Sequence, residues 1–532
     1  MKSKRMLNSW LPPSGIRFFL LVLLLLGIFF RLFNLDHKVY SFDETYTSLR
    51  SAGYTDADIK QQILDGRVIS LEELKKYQRT NPEKSVIDTI NSLAKEEPHF
   101  PPLYFVMVRF WEQLFGNSVA VTRSVSALIS LLTFPCIYWL CLELFESPLT
   151  GWVAMALIAI SPFHVLYAQE ARPYSLWTVT ILLSSATLLQ SMRLQTKLSW
   201  VTYAATVVIG LYTYLYFGLV TIGHAIYIVT TESFRWSKTV RSYIFASLAA
   251  FLAFAPWPLV VITNRPSATH VSGFFDNSAS LPHLGNRWAN NFTRIFVDFG
   301  WKIRHSFNSA LPQSFLILSV LIITGYAIYF LCRQTPERVW IFVLALIGVQ
   351  VLALMLPDLI LRRWRLSGET RYLIPSYLGI QLAVAYLLST KITSNSVNIW
   401  SQKLWQFVTI LVISAGVVSS TIIFQADYWW NKGNSKYATE IASIINKAPQ
   451  PIVISDARFP NSLIALSYLL QRKVRFQLVV TPNIPKIPPK FSDVFLYGAS
   501  TTLKSGIEKE QKYKIEPAQE KSEFTLWKLV KK

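Results

Sequence analysis

Asp43 and Glu44 stand side by side in "SFDETYTSLR", residues 41–50, directly after the first long apolar run of the chain. A carboxylate so placed can take the proton of an attacking hydroxyl, and a set of cations can take the charge of a departing phosphate. The local alternative is a helix start, because Ser41 and Glu44 have the S-x-x-E spacing of a capping box and acids suit a helix N-terminus. Further on, "EEPHFPPLYF" carries Glu97 and His99 on a proline-stiffened, extended segment. "YAQEARPYSLW" holds Glu170 and Arg172, for which an exposed hairpin ion pair is the plain alternative. "LRRWRLSGETR" gathers Arg362, Arg363, Arg365 and Arg371, with Tyr372 next in sequence. Guanidinium groups bind phosphate through charge-assisted, often bidentate hydrogen bonds, whereas headgroup anchoring is the bland use of such a cluster.

Elements that place these residues follow from hydropathy. The chain has 532 residues, 52% hydrophobic and 14% aromatic with only 16% charged, and reads as an α-helical polytopic membrane protein. Apolar segments of crossing length fall at 16–35, 119–145, 150–167, 174–192, 198–215, 217–232, 241–263, 313–332, 338–357, 372–390 and 405–424. These make about 11 transmembrane helices, the first retained because no small-residue cleavage site follows it. Pro101 to Gly116 is shorter, carries Arg109 and Glu112, and reads as an interfacial helix. With a cytoplasmic N-terminus, Lys2, Lys4, Arg5, Arg193, Lys197, Arg235, Lys238, Arg241, Arg333, Arg338, Lys391 and Lys403 all fall on inner segments. The outer face then receives 36–118, 168–173, 264–312, 358–371 and everything after about 425, so every cluster named above lies at one membrane surface.

The formal charge of +21 is scattered between apolar segments, which argues against nucleic acid and for anionic lipid headgroups or phosphates as partners. Cys136, Cys141 and Cys332 lie in apolar runs without metal-ligand spacing, so no disulfide framework or zinc cluster is expected. The first outer loop, 36–118, reads as short helices along the membrane. One begins at Ser41, one at Ser70 with Glu73 three residues on, and one at Asn81 with Pro82 in its first helical position. After the membrane module of 1–424, residues 425–532 form a small extracytoplasmic α/β domain. Its strands are "PIVIS", "KVRFQLVV", "DVFLYG" and "EFTLWKLV", and residues 461–471 are helical. It has no Gly-rich phosphate loop.

The order of motifs carries a resemblance. "F-D-E-T-Y", then "P-P-L-Y" leading to "W-x-x-L-F-G-x-S-x-x-x-x-R-x-x-S", then "Y-A-Q-E-A-R-P-Y-S-L" and "R-Y-L-I-P" resemble the type-C membrane glycosyltransferases over residues 14–390. Within them the chain looks most like the family of protein O-mannosyltransferases and the bacterial aminoarabinose transferase of lipid A. The resemblance implies an inverting transferase of the bacterial inner membrane. It would move a sugar from a polyprenyl-phosphate carrier to a lipid, glycan or protein hydroxyl on the extracytoplasmic side. By motif Asp43 is the base and Glu44 the second acid, and Glu97, His99, Glu170, Arg172, Arg362, Arg363, Arg365, Arg371 and Tyr372 are left to bind substrate. The lipid A transferases carry a lysine beside the acid before the proline, where this chain has "EEPHFPP". That departure leaves open a divalent metal on Glu97 and His99, although no cofactor is required. A lipid-linked sugar flippase or transporter and a noncatalytic polysaccharide-assembly protein are the competing functions.

Overall fold

The computed structural model describes residues 14–264, 277–300, 311–364, 366–393, 399–456, 460–511, 513–519 and 526–532. They form two compact units, one of Met1–Phe33, Pro98–Tyr104 and Ser124–Gln425, the other of Asn34–Glu97, Phe105–Arg123 and Ala426–Lys532. The first unit is helical apart from two short strands. Among the described residues six helices are long and apolar enough to cross a membrane: Val119–Phe145, Tyr174–Leu194, Gln313–Gln334, Glu337–Leu361, Thr370–Thr393 and Ile399–Gly433. Two bent pairs raise the number to 8. All eleven expected segments fall on helix, but some are short for a straight crossing, such as Lys197–Thr213 with 17 residues and Phe217–Thr231 with 15. The basic residues 2, 4 and 5 lie outside the described residues.

One bend has a clear chemical cause. Pro148–Ala159 and Pro162–Ala168 meet at 61° because Pro162 lacks an N–H and disfavours helix at Ser161 before it. Carbonyls freed at such a break need donors where water is absent. Arg31, fully buried, supplies them, donating to Ile158 O at 2.8 Å and Ala159 O at 2.6 Å, while Ser420 Oγ reaches Ile160 O at 2.9 Å. Arg31 can come this near because its helix, Ser14–Leu32, presents Gly27 to the same turn. A Cβ on Gly27 would sit 2.7 Å from both the Cβ and the carbonyl oxygen of Ala159. The short helix after the bend leads into the Glu170–Arg172 turn, and Gln169 pins that turn by donating to Phe30 O at 2.7 Å and Phe33 O at 2.9 Å.

The second unit is built on a sheet. Among the described residues the strands are β1 (Asp65–Ser70), β2 (Asn277–Ser278), β3 (Arg363–Trp364), β4 (Pro451–Ser455), β5 (Arg475–Val479), β6 (Asp493–Tyr497), β7 (Tyr513–Gln519) and β8 (Leu526–Lys531). Six of them form one sheet in the order β1-β5-β4-β6-β8-β7, parallel where β4 meets β5 and β6 and antiparallel elsewhere. Alternation along these strands buries both faces. Val453, Phe476, Leu478, Phe495 and Tyr497 point into one core, and Ile452, Ile454, Val494 and Leu496 into another with Leu503 and Ile507 of helix Thr501–Glu510.

The structure refines the sequence reading of this unit in three places. Residues 65–70, which precede the expected helix at Ser70, form the edge strand β1, with Ile69 opposite Phe476 and Val68 opposite Gln477. The first outer loop also shares its core with the C-terminal segment: Leu49, Ala52, Ile59, Ile63, Leu71 and Leu74 pack in one cluster with Ile441, Ile445, Leu463 and Phe476. The expected boundary at 424–425 falls beside that between the two units, at Gln425 and Ala426, and the unit that follows it also takes in Asn34–Glu97 and Phe105–Arg123, because apolar burial joins sequence-distant segments. The third loop helix starts later than expected, at Val86 with Ser85 as cap, because Ser85 and Asp88 complete a reciprocal capping box. Asn81 instead closes a turn, its Oδ1 accepting from the N–H groups of Glu83 and Lys84.

Helix Leu103–Phe115 buries the two charges that marked it as interfacial. Arg109 donates to Ser51 O at 3.0 Å and to Lys84 O, and Glu112 accepts from Thr122 Oγ1 at 2.7 Å and Ser51 Oγ at 3.3 Å. Burial pushes the Glu112 carboxyl up to about 8, and the Thr122 and Ser51 hydroxyls and the Arg109 charge pull back only part of that rise. The native chain thus keeps a proton that the unfolded chain loses from its ordinary 4.5 upward. Its contribution to stability is full below that value and is lost as pH rises to about 8.

Two outcomes follow for the purified protein in detergent. Gly27→Ala should cost about 1–3 kcal/mol by overpacking, seen as a lower thermal midpoint. Glu112→Gln should remove a fall in midpoint between pH 4.5 and about 8 that the wild-type chain shows, and equal pH slopes in the two proteins would refute the assignment.

Candidate active site

In the second unit, Ser41 caps helix Phe42–Ser51 with a complete capping box. Glu44 serves that box and does more. Its carboxylate accepts from Ser41 N at 2.9 Å and Ser41 Oγ at 3.0 Å, and from Arg123 Nε at 2.7 Å and Nη2 at 2.8 Å. Lys432 Nζ completes the set at 2.6 Å. All three charged side chains are buried. The remaining Arg123 donors reach Leu35 O at 2.7 Å, Lys38 O at 2.9 Å and Val39 O at 2.9 Å, so one guanidinium fixes the whole approach to the helix. Burial alone would raise the Glu44 carboxyl, but Arg123 and Lys432 overcome it and hold the group ionised, well below the usual carboxylate range. The Lys38 ammonium, buried beside Lys432 and Arg123, is brought down to about 7, with Glu44 and Asp427 opposing the shift.

Asp43 lies about 100° around the helix from Glu44 and shares the half-exposed stripe with Phe42 and Tyr46. Of the two adjacent acids, then, one is locked in a buried ion cluster and the other has access to solvent. Farther along the helix, Arg50 binds Glu97 at 3.1 Å and Asp56 at 3.0 Å, so Glu97 is a partner of the loop's own packing. Among the described residues no three His, Cys, Asp or Glu side chains lie close enough to hold a metal ion. His99, in the first unit, packs its ring 4.4 Å from that of Phe100.

The first unit gathers the other expected residues around aromatic rings. The Arg371 guanidinium lies 5.5 Å from the Tyr174 ring and 5.6 Å from that of Tyr372, with Glu369 at 3.5 Å. Arg172 lies 4.4 Å from the Phe100 ring. Tyr214 joins the two groups, its ring 6.0 Å from Phe100, 6.0 Å from Tyr174 and 6.3 Å from Tyr372. Tyr167 is within electrostatic reach of both Glu170 and Arg371. Cations over tyrosine faces are favourable, and such rings bring phenol hydroxyls beside them. The arrangement can hold an anion with an attached polar group.

Arg362 and Arg363 are elsewhere, both exposed: Arg362 ends helix Glu337–Leu361 in a left-handed conformation, and Arg363 lies in β3, paired with β2. Arg365 lies outside the described residues. Sequence reasoning did not single out Lys432, Lys38 or Arg294. Arg294 is buried and donates to Asn291 Oδ1 at 3.1 Å and Thr370 Oγ1 at 3.4 Å, one residue from Arg371. Arg123 was visible only as the charged position of the W-to-S motif.

Residues 99–259 match the model of a family described as dolichyl-phosphate-mannose-protein mannosyltransferase. No curated protein sequence matches the chain. Two crystal structures of ArnT from Cupriavidus metallidurans share the fold. One is bound to undecaprenyl phosphate (TM-score 0.51, 12% identity) and one is in the apo state (TM-score 0.54, 13% identity). Each comparison covers 97% of this chain and 98% of the other. The chain thus resembles the type-C membrane glycosyltransferases, with a mannosyltransferase-family segment at residues 99–259 and a fold like that of ArnT along nearly its whole length.

Proposed function

We propose that this protein is a membrane glycosyltransferase that moves a sugar from a polyprenyl-phosphate carrier to a hydroxyl acceptor on a lipid, glycan or protein. The observation that carries the reading is the contrast between the adjacent acids: Glu44 is saturated and buried, while Asp43, beside it, is half-exposed. The mannosyltransferase-family segment and the ArnT-like fold support it, since one ArnT structure is bound to undecaprenyl phosphate. Asp43 takes the acceptor proton as the acceptor oxygen bonds to the anomeric carbon. The bond from that carbon to the phosphate oxygen breaks in the same displacement, which inverts the configuration. Arg371, with Arg172 in reserve, takes the charge of the polyprenyl phosphate that leaves, and Tyr372 and Glu170 orient sugar or phosphate oxygens. Glu44 positions, and Glu97 holds Arg50 in the loop. Eleven crossings with the N-terminus inside would place this chemistry on the extracytoplasmic face of a bacterial inner membrane. No metal is assigned a step.

A second reading has its own observation. Bent spans are characteristic of transporters, and two helix pairs here bend by 61° and 50°. A flippase for lipid-linked sugars would move the carrier without forming product.

The two readings separate in one assay, transfer of radiolabelled sugar from purified polyprenyl-phosphate carrier by the full chain in lipid nanodiscs. Asp43→Asn should lower kcat by about 10²–10⁴ while polyprenyl phosphate still binds. Arg371→Leu should weaken that binding, and chelation should leave the wild-type rate unchanged. Wild-type rates in Asp43→Asn, or carrier translocation with no product from the wild-type chain, would overturn the transferase reading.

A further inference from the structure

The role of the C-terminal segment is open in the reading above. Lys432 belongs to it, in the short 3-10 turn Trp430–Ser435 that follows the last long helix, Ile399–Gln425. Its ammonium is buried and sits 2.6 Å from Glu44 Oε2, more than three hundred residues away in sequence. Neighbouring contacts run the same way. Val39 N–H donates to Asp427 O at 2.9 Å, and the Tyr40 ring lies 4.6 Å from that of Tyr468. Thr45 Oγ1 reaches Asn461 O at 3.5 Å, so the C-terminal segment meets the chain on both sides of Asp43.

Stability does not explain this use of charge. Two buried cations and one carboxylate must be stripped of water, and well-packed apolar residues in their place are often as stable or more so. What a buried carboxylate that accepts five directed hydrogen bonds gains is a single orientation. Glu44 and Asp43 are adjacent on one rigid helical turn, so fixing the Glu44 carboxylate fixes the direction in which the Asp43 carboxylate leaves the helix.

We propose that Lys432 is a positioning residue for the transfer reaction: through Glu44 it sets the direction of the Asp43 carboxylate, so that the C-terminal segment completes the catalytic arrangement of the first outer loop. The inference rests on the transferase reading. It requires no contact between Lys432 and either substrate, and a misplacement near 1 Å is enough to cost about 10²-fold in rate.

The test uses the full chain in nanodiscs with a polyprenyl-phosphate-linked sugar as donor. Lys432→Met should lower kcat by about 10–100-fold with the donor KM within about threefold, and Lys432→Arg should recover most of the loss. Lys432→Met also leaves Glu44 with one cation fewer and lowers the thermal midpoint. With sucrose or trimethylamine N-oxide added to bring that midpoint back, the kcat of Lys432→Met should stay low. Recovery of kcat together with the midpoint would mean a purely structural lysine and would overturn the proposal, as would wild-type kcat in Lys432→Met. A wild-type chain that transfers no sugar at all would instead overturn the transferase reading, which the variants do not decide.

Discussion

One buried carboxylate organises the part of this protein that contains the candidate base. Glu44 is fully removed from water, and an isolated charge in that position would be far too costly to keep. Arg123 and Lys432 make it tolerable, and in doing so they bind a loop helix to two segments that lie far from it in sequence. Loss of one partner from such a cluster typically costs about 3–5 kcal/mol, because the remaining charge is stranded. The acid next to it, Asp43, is outside this buried cluster and only partly buried. On the proposed function, Asp43 and Glu44 would divide the work between a reacting group and the group that aims it.

The membrane unit meets a different constraint, that every backbone polar group away from water needs a partner. Its bent span exposes carbonyls at Ile158, Ala159 and Ile160, and Arg31 and Ser420 cover them. That frees the chain to turn sharply before Glu170 and Arg172, so a break in regular structure and its repair by one arginine set where the next cluster lies. Arg371 is held otherwise, among tyrosine rings and near Glu369, where its charge is partly shielded and its fork is directed. Arg362 and Arg363 are exposed, and for them lipid headgroups are the simpler ligands.

How much of this was legible in the sequence depended on the range of each interaction. Ser41 and Ser70 were readable as caps because a cap is decided within four residues, and each accepts from the N–H three residues on. Asn81 misled for the same local reason, since Asn-Pro suits a helix start as well as a turn, and the Ser85–Asp88 box decided between them. The long apolar helices were plain from hydropathy, whereas the bends within them depend on single prolines. β1 escaped notice because "DGRVIS" is short and becomes a strand only by pairing with residues 475–479. The two-acid motif singled out Asp43 and Glu44, but nothing local shows that Glu44 would be spent on Lys432. Long-range charge pairing leaves no periodicity to read.

The central claim, that a lipid phosphate is gripped where Arg371 meets the tyrosines, can be examined most directly by determining the structure of the full chain with undecaprenyl phosphate in a nanodisc. The account expects phosphate density within hydrogen-bonding distance of the Arg371 guanidinium, beside the rings of Tyr174 and Tyr372. Density confined to the exposed Arg362 and Arg363, with Arg371 still packed against its rings and Glu369, would contradict it.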